Sequence, residues 1–218
     1  MDSNDWPLYG IRVLTPRLEL RYVDEELGGE LAALAERGIH DPGYMPFAFP
    51  WTDVDTELIR PNALKHYWRC RAETEANHWT LPLAVIADGS VVGSSSLNAD
   101  EFPLLRQFET GSWLGRDYQG KGLGRELREA SLHLGFAGLG ATLATTAAFE
   151  DNAPSLGVTR SLGYSANGSQ RKVRRGKLAN SLLFKLSVDE WSNRLRRNDI
   201  SIVGLEPCLQ TFGLTPFS

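Results

Sequence analysis

The stretch from Ser112 to Arg128 reads SWLGRDYQGKGLGRELR and constrains the fold more than any other part of the chain. A short strand-like run enters a loop with glycines at 115, 120, 122 and 124, and a helix opens among them. From Gly120 to Ala137 the apolar residues Leu123, Leu127, Ala130, Leu134 and Ala137 recur every three to four positions, the period of an amphipathic helix. A strand, a glycine loop and a helix start together make an anion site. The glycines let backbone come close to a phosphate, and the free N–H groups and positive dipole end of the new helix point at it. Lys121, Arg125 and Arg128 either add positive charge to the site on the first turns or are plain helix-surface residues.

Two phosphate-binding patterns fail against this segment. A G-x-x-x-x-G-K-[ST] loop would run from Gly115 to Lys121, but Gly122 stands where the magnesium-holding hydroxyl is needed. A dinucleotide G-x-G-x-x-G would start at Gly120, but Arg125 replaces the third glycine and no ribose-binding acid follows at the right distance. Nucleoside triphosphate hydrolysis and dinucleotide binding are therefore both disfavoured.

The rest of the chain predicts mixed strands and helices without strict alternation. Arg17 to Val23 alternates as a half-buried strand, and Asp24 caps a helix that stops near Gly38. His40 to Thr52 (HDPGYMPFAFPWT) has too many prolines for a helix and too many aromatics for a plain surface loop, so it reads as a lid or pocket wall, or as a loop packing on the core. Asp53 to Glu75 predicts a helix broken or restarted near Pro61. Leu81–Ala87 and Val91–Leu97 form a hairpin around Asp88-Gly89, Phe108–Leu114 and Ala141–Phe149 are strands, Ala153–Leu162 is a short helix, and Leu182–Leu186 is the last strand.

With 218 residues and 42% hydrophobic composition, the chain supports one globular domain. Cys70 and Cys208 make no disulfide framework, and no Cys/His spacing suggests a metal, so a reduced cytoplasmic protein is expected. The sequence shows no leader-like N-terminus and no run of 18 apolar residues, so no membrane association is expected. The net charge of −4 argues against a general nucleic-acid binder but hides an asymmetry. Residues 171–197 carry nine Lys/Arg against Asp189 and Glu190, a local +7 that leaves −11 elsewhere, which marks either an anionic partner or a solvated hairpin and helix face. His133 falls on the polar side of its helix and His40 at a turn.

Gln119-Gly120-Lys121-Gly122-Leu123-Gly124 resembles the Q/R-x-x-G-x-G/A loop of the GNAT N-acyltransferases, which binds the coenzyme A pyrophosphate in that family. The context agrees: Asp151-Asn152-Ala153-Pro154-Ser155 and Leu162-Gly163-Tyr164 resemble the family's N-x-x-S/A block and its Gly-aromatic end. The opening Thr15-Pro16-Arg17-Leu18-Glu19-Leu20 is similar to the start of the ribosomal-protein N-terminal acetyltransferase branch. MPFAFPWT, WLG-x-x-YQG and DN-x-x-S look like a sub-branch with a bacterial succinyl-CoA-using member. The resemblance runs from about residue 11 to 191, which implies a GNAT domain over 1–191 and a C-terminal extension, 192–218, that packs on the domain or on a sister subunit.

The resemblance implies a mixed α/β fold whose central, mostly antiparallel twisted sheet has six to seven strands, is splayed in the middle and is flanked by helices. It implies transfer of an acetyl or succinyl group from acyl-CoA to a primary amine (a protein N-terminus, a lysine or a small molecule) by direct attack in a ternary complex. No metal is implied, and a homodimer or higher homo-oligomer is expected. The alternative is a non-catalytic acyl-CoA sensor.

Residue by residue, the strand at Trp113 and Leu114 would pair with pantetheine and stabilise the oxyanion. Gln119, Gly120, Lys121, Gly122, Leu123, Gly124 and Arg125 would hold the pyrophosphate, and Asn152 the pantetheine arm. Many relatives protonate the thiolate with a tyrosine where Thr159 stands here, whereas Ser155 matches a serine thought to serve the thiolate in the ribosomal-protein branch. Glu109 is the first candidate base, and Glu150 or Asp151 the second. A succinyl carboxylate would need cations, from 171–177 or from the His40 loop.

Overall fold

A computed structural model describes residues 5–215; Met1–Asn4 and the last three residues of the C-terminal extension lie outside it. In chain order the elements are β1 (Arg12–Leu14), β2 (Glu19–Tyr22), α1 (Glu25–Glu36), α2 (Thr56–Ala72), β3 (His78–Ala87), β4 (Ser90–Asp100) and the single turn α3 (Phe102–Leu105). Then come β5 (Gln107–Leu114), α4 (Leu123–His133), β6 (Leu143–Phe149), α5 (Ala153–Ser161), β7 (Ser165–Arg174), β8 (Lys177–Ser187), α6 (Val188–Arg194) and β9 (Ser201–Val203).

Local chemistry accounts for several boundaries. Asp24 accepts a hydrogen bond from Leu27 N–H at 2.8 Å and so starts α1. Asp88 and Gly89 have φ of 48° and 75°, the left-handed pair that closes the β3–β4 hairpin with the right twist. Ser187 and Glu190 cap α6 reciprocally. After His133 the helix widens into a π turn over Leu134–Gly138, where Gly135 lies against Phe108 so closely that an added Cβ would sit 2.2 Å from the ring.

The strands form one open sheet in the order β7-β8-β6-β5-β4-β3-β2-β1-β9. Among the described residues the single parallel pair is β5–β6, and it lasts for three residue pairs, ending at Glu109 opposite Thr145. Beyond that point β5 stays zipped to β4 from Asn98/Glu109 to Gly93/Leu114 while β6 is held by β8, so the two middle strands part. The splayed antiparallel sheet expected from the sequence is therefore present. One face packs against α1 and α2 through Leu27, Leu31, Ala63, Tyr67, Ala84 and Val91. A larger core on the other side gathers Leu127, Ala130, Leu134, Phe108, Phe136 and Trp191.

Three features differ from expectation. Among the described residues the sheet has nine strands rather than six or seven: the short β1 and β9 and the outer strand β7 show no period-2 run, and β7 is exposed along most of its length and so carries no alternation. α2 runs unbroken through Pro61, which is exposed on the helix. His133 is buried, with its ring edge on Trp191 at 5.7 Å, and burial lowers its pKa with help from Arg196. The chain after residue 192, for which packing on the domain was one of two expectations, adds β9 beside β1 and sends Cys208 and Phe212, both fully buried, into the larger core; Phe212 meets Trp79 edge to face at 4.9 Å.

Candidate active site

The parting strands leave a fork that opens toward the C-terminal ends of β5 and β6. Beyond the last rung the β6-facing edge of β5 has no strand partner: Thr110 O accepts from Thr146 and Leu114 O from Gln119, and the backbone between them is open to a ligand. At the open end the chain turns through Gly115–Gly122 into α4. Gly120 and Gly122 have φ of 73° and 78°, and no side chain caps the helix, so its first N–H groups remain available to an anion.

Side chains around this loop divide into those that face a ligand space and those that build the loop. Gln119 turns inward: its amide donates to Ile39 O at 2.9 Å and Leu114 O at 2.8 Å, tying the loop to the end of α1 and to β5. Arg125 pairs with Glu129 at 2.9 Å and also reaches Ser161 O on α5. Lys121 is exposed, with its ammonium 5.9 Å from the centre of the Tyr118 ring. Arg17, which sequence reasoning missed, donates to Lys121 O at 3.2 Å, pairs with Glu126 at 2.6 Å, and would lie 3.6 Å from a Cβ at Gly122. The pairing with Arg17 and Thr15 holds the Glu126 carboxyl below its usual range despite burial.

On the far side of the fork, Asn152 caps α5 by accepting from Ser155 N–H at 3.3 Å; its amide N–H groups and the half-buried Ser155 hydroxyl have no protein partner among the described residues. Thr159 is fully buried and its hydroxyl has no partner, so it does not stand in for a cleft tyrosine. Trp113 is half-buried and contacts Trp51 across 6.0 Å. Glu109 is exposed at the apex of the fork, on the same side of β5 as Gly111 and Trp113 by the strand period. Glu150 is exposed and accepts from Asn180 at 3.2 Å.

Against this stretch lies a cleft of about 570 Å³. Ser94–Ser96 and Gly111–Trp113 line one side, α2 lines the second with Asn62, Lys65, His66, Tyr67 and Arg69, and Phe47 to Trp51 roof it. No carboxylate is among these lining residues. His66, unremarked in the sequence, has its pKa lowered by desolvation and by nearby Arg69, so at neutral pH it is an uncharged proton acceptor.

The roof is clamped by the tip of the β7–β8 hairpin. Arg174 donates to both carboxylate oxygens of Asp151 (2.9 and 2.5 Å) and lies over the Phe149 ring at 4.3 Å, while Tyr44 donates to the same Asp151 at 2.9 Å. Arg175 pairs with Asp53 and reaches Pro42 O at 3.0 Å. His40 joins the ends of the roof through Thr52 at 2.7 Å and Asp41 O at 2.8 Å. Two of the arginines of the 171–177 stretch and the His40 ring are therefore committed to the roof, which corrects the expectation that they would hold an acyl carboxylate.

The clamp also decides one candidate base. Hydrogen bonds from Arg174 lower the Asp151 pKa to about 2, with Tyr44 adding to the effect, so Asp151 stays ionised down to that pH and is too weak a base near neutrality. Its stabilising contribution is full above its ordinary value of 3.8 and is lost only as pH falls through about 2. Arg174→Met is expected to raise proteolytic cutting within residues 40–54 about tenfold while leaving the rest of the fold protected; unchanged cutting would show that the roof is held elsewhere.

The model of the acetyltransferase (GNAT) domain matches residues 17–165, which include the fork, the glycine loop and the Asn152 cap. The chain belongs to the GNAT family. Among solved structures similar to this GNAT protein, Mycobacterium smegmatis RimJ in complex with CoA-disulfide shares 20% identity with a TM-score of 0.69, covering 85% of this chain and 90% of that one. The ribosomal-protein-S5-alanine acetyltransferase from Vibrio fischeri gives 18%, 0.63, 83% and 98% on the same measures. The microcin C7 self-immunity acetyltransferase MccE, in complex with acetyl-CoA and AMP, gives 17%, 0.63, 79% and 93%. At these identities the likeness is one of fold. Among the described residues no helix is long and apolar enough to cross a membrane, and no cluster of three His, Cys, Asp or Glu could hold a metal.

Proposed function

We propose that this GNAT protein transfers an acyl group from acyl-CoA to a primary amine by direct attack in a ternary complex in the cytoplasm. The observation that carries the reading is the fork: unpaired β5 backbone leads directly to an uncapped, glycine-opened helix start. That sequence of groups suits a pantetheine arm ending in a pyrophosphate. Gly120, Gly122, Leu123 and Gly124 would supply backbone N–H groups to the pyrophosphate, with Lys121, Arg125 and Arg17 as nearby cations, and Gln119 would hold the loop in shape. Trp113 and Leu114 would offer backbone to pantetheine and to the oxyanion, and Asn152 an amide N–H to the arm. CoA or acetyl-CoA in the complexes of RimJ and MccE supports the donor class.

In the reaction the amine nitrogen bonds to the thioester carbon, the C–S bond breaks, the amine proton leaves to a base, and the thiolate takes a proton. Glu109 at the apex and neutral His66 in the cleft are the two groups suited to the base, and the Ser155 hydroxyl to the departing sulfur. The cations Lys65 and Arg69 at a cleft without lining carboxylates favour a succinyl over an acetyl donor.

The test is thiol release from acetyl-CoA and from succinyl-CoA with phenylalaninamide, the tripeptide Ala-Phe-Ala, Nα-acetyl-lysine and spermidine as acceptors. Acceptor-dependent release, reduced in Ser155→Ala with CoA binding intact, is the expected result. Absence of CoA binding by calorimetry would end the reading. The buried Thr159, in place of a cleft tyrosine, favours the second reading, a non-catalytic acyl-CoA sensor, which predicts binding without release.

A further inference from the structure

Arg128 lies at the apex of the fork. It projects from the second turn of α4, is 5% exposed, and reaches the first residue of each strand beyond the last paired rung. One guanidinium nitrogen, Nη1, donates to Thr110 Oγ1 at 3.0 Å and to Thr146 Oγ1 at 2.9 Å. Both hydroxyl protons are already directed across the fork: Thr146 donates to Thr110 O at 3.1 Å and Thr110 to Thr145 O at 3.4 Å. The hydroxyl lone pairs therefore face the arginine, and one cation spans the point of divergence.

Among the described residues the charge itself has no counterion. No carboxylate pairs with Arg128 among the described residues, and its Nε is buried without a partner. The two acids beside it on α4 face other groups, Glu126 toward Arg17 and Glu129 toward Arg125 and Arg197. A guanidinium cannot shed its proton in a protein, and a buried charge without a partner opposes folding. A hydrophobic residue at this place would serve the core better, so stability alone does not account for an arginine here.

We propose that Arg128 is a positioning residue for acyl transfer: it fixes the spacing of the fork through Thr110 and Thr146 and sets an uncompensated positive charge beneath the thioester. The assignment rests on the reading of the fork as the acyl-CoA site. During transfer, negative charge grows first on the carbonyl oxygen and then on the sulfur, and a fixed cation in a water-poor setting favours both. The two threonine hydroxyls already hold the guanidinium in place, so it need not reorganise at that moment.

The test uses Arg128→Met and Arg128→Lys, with single-turnover transfer from acetyl-CoA to hydroxylamine. This small nucleophile is neutral at neutral pH, so neither a base nor a fitted acceptor pocket limits the reaction. Its nitrogen bonds to the carbonyl carbon, the C–S bond breaks, and its proton ends on the thiolate, giving acetohydroxamate and CoA. Arg128→Met is expected to transfer about 10- to 100-fold more slowly, to bind CoA within about threefold of the wild type, and to melt at the same temperature or higher. Arg128→Lys, which keeps the charge, is expected to recover most of the rate. A methionine variant that is slower yet at least as stable cannot be explained by a loss of folding stability, and recovery by lysine separates the charge from the exact spacing.

An unfolded or clearly less stable methionine variant would overturn the proposal, as would wild-type transfer by that variant or no recovery by lysine. If the wild-type protein itself transfers to no nucleophile, the reading of the function fails; if it transfers and Arg128→Met does so equally, only the role of Arg128 fails.

Discussion

Gly122→Glu is expected to weaken CoA binding by about 100-fold or more while the protein still folds. Gly122 holds φ of 78° at the start of α4, a conformation that costs a side-chain-bearing residue roughly 1–2 kcal/mol. The larger effect is on the ligand. A carboxylate placed among the first-turn N–H groups would repel the pyrophosphate, and Arg17, 3.6 Å from the new Cβ, would be drawn to it instead of to the ligand. Gly122→Ala separates the two causes: it keeps the strain without the charge, and should lose only a fewfold. Titration calorimetry with CoA reads both variants. Wild-type affinity in Gly122→Glu would remove the helix start from the binding site.

Phe108→Ala is expected to cost about 3–5 kcal/mol of stability, which lowers the melting temperature by roughly 10 °C or more for a chain of this size. Phe108 is 1% exposed, meets Phe136 edge to face at 5.5 Å, and fills the space that Gly135 leaves open in the π turn. It also stands in the short parallel ladder, opposite Ala144, that holds β5 to β6 before they part. Removing it empties the core at the hinge of the fork. Because Phe108 and Gly135 occupy one another's space, Phe108→Ala with Gly135→Ala should lose less than the sum of the two single losses. Additive losses by thermal unfolding would contradict the packing account.

Much of the fold was legible because its signals are local. The apolar period from Leu123 onward, the Asp24 cap, the Asp88-Gly89 turn and the glycines at 120, 122 and 124 each report on neighbours within a few residues, where backbone sterics and helix geometry decide the outcome. β7 gave no such signal, since an outer strand exposed along most of its length has no buried face to alternate with. The burial of His133 was misread for a related reason: helix period shows which side is apolar on average, but α6 returns from 55 residues later to cover that side with Trp191.

The candidate site divides along the same line. A glycine-opened helix start after a strand, the loop from Gln119 to Gly124 and the Asn152–Ser155 block could all be read from the residue order, because each is a contiguous run whose chemistry lies in its own backbone. Which charges are free depends on the folded chain. It joins Arg174 to Asp151, Arg175 to Asp53 and Arg17 to Glu126 across 23, 122 and 109 residues of chain, and leaves Arg128 buried at the fork with two threonine hydroxyls and no acid. A side chain's charge is written in the sequence; whether a partner neutralises it depends on distances of a few ångströms that folding alone sets.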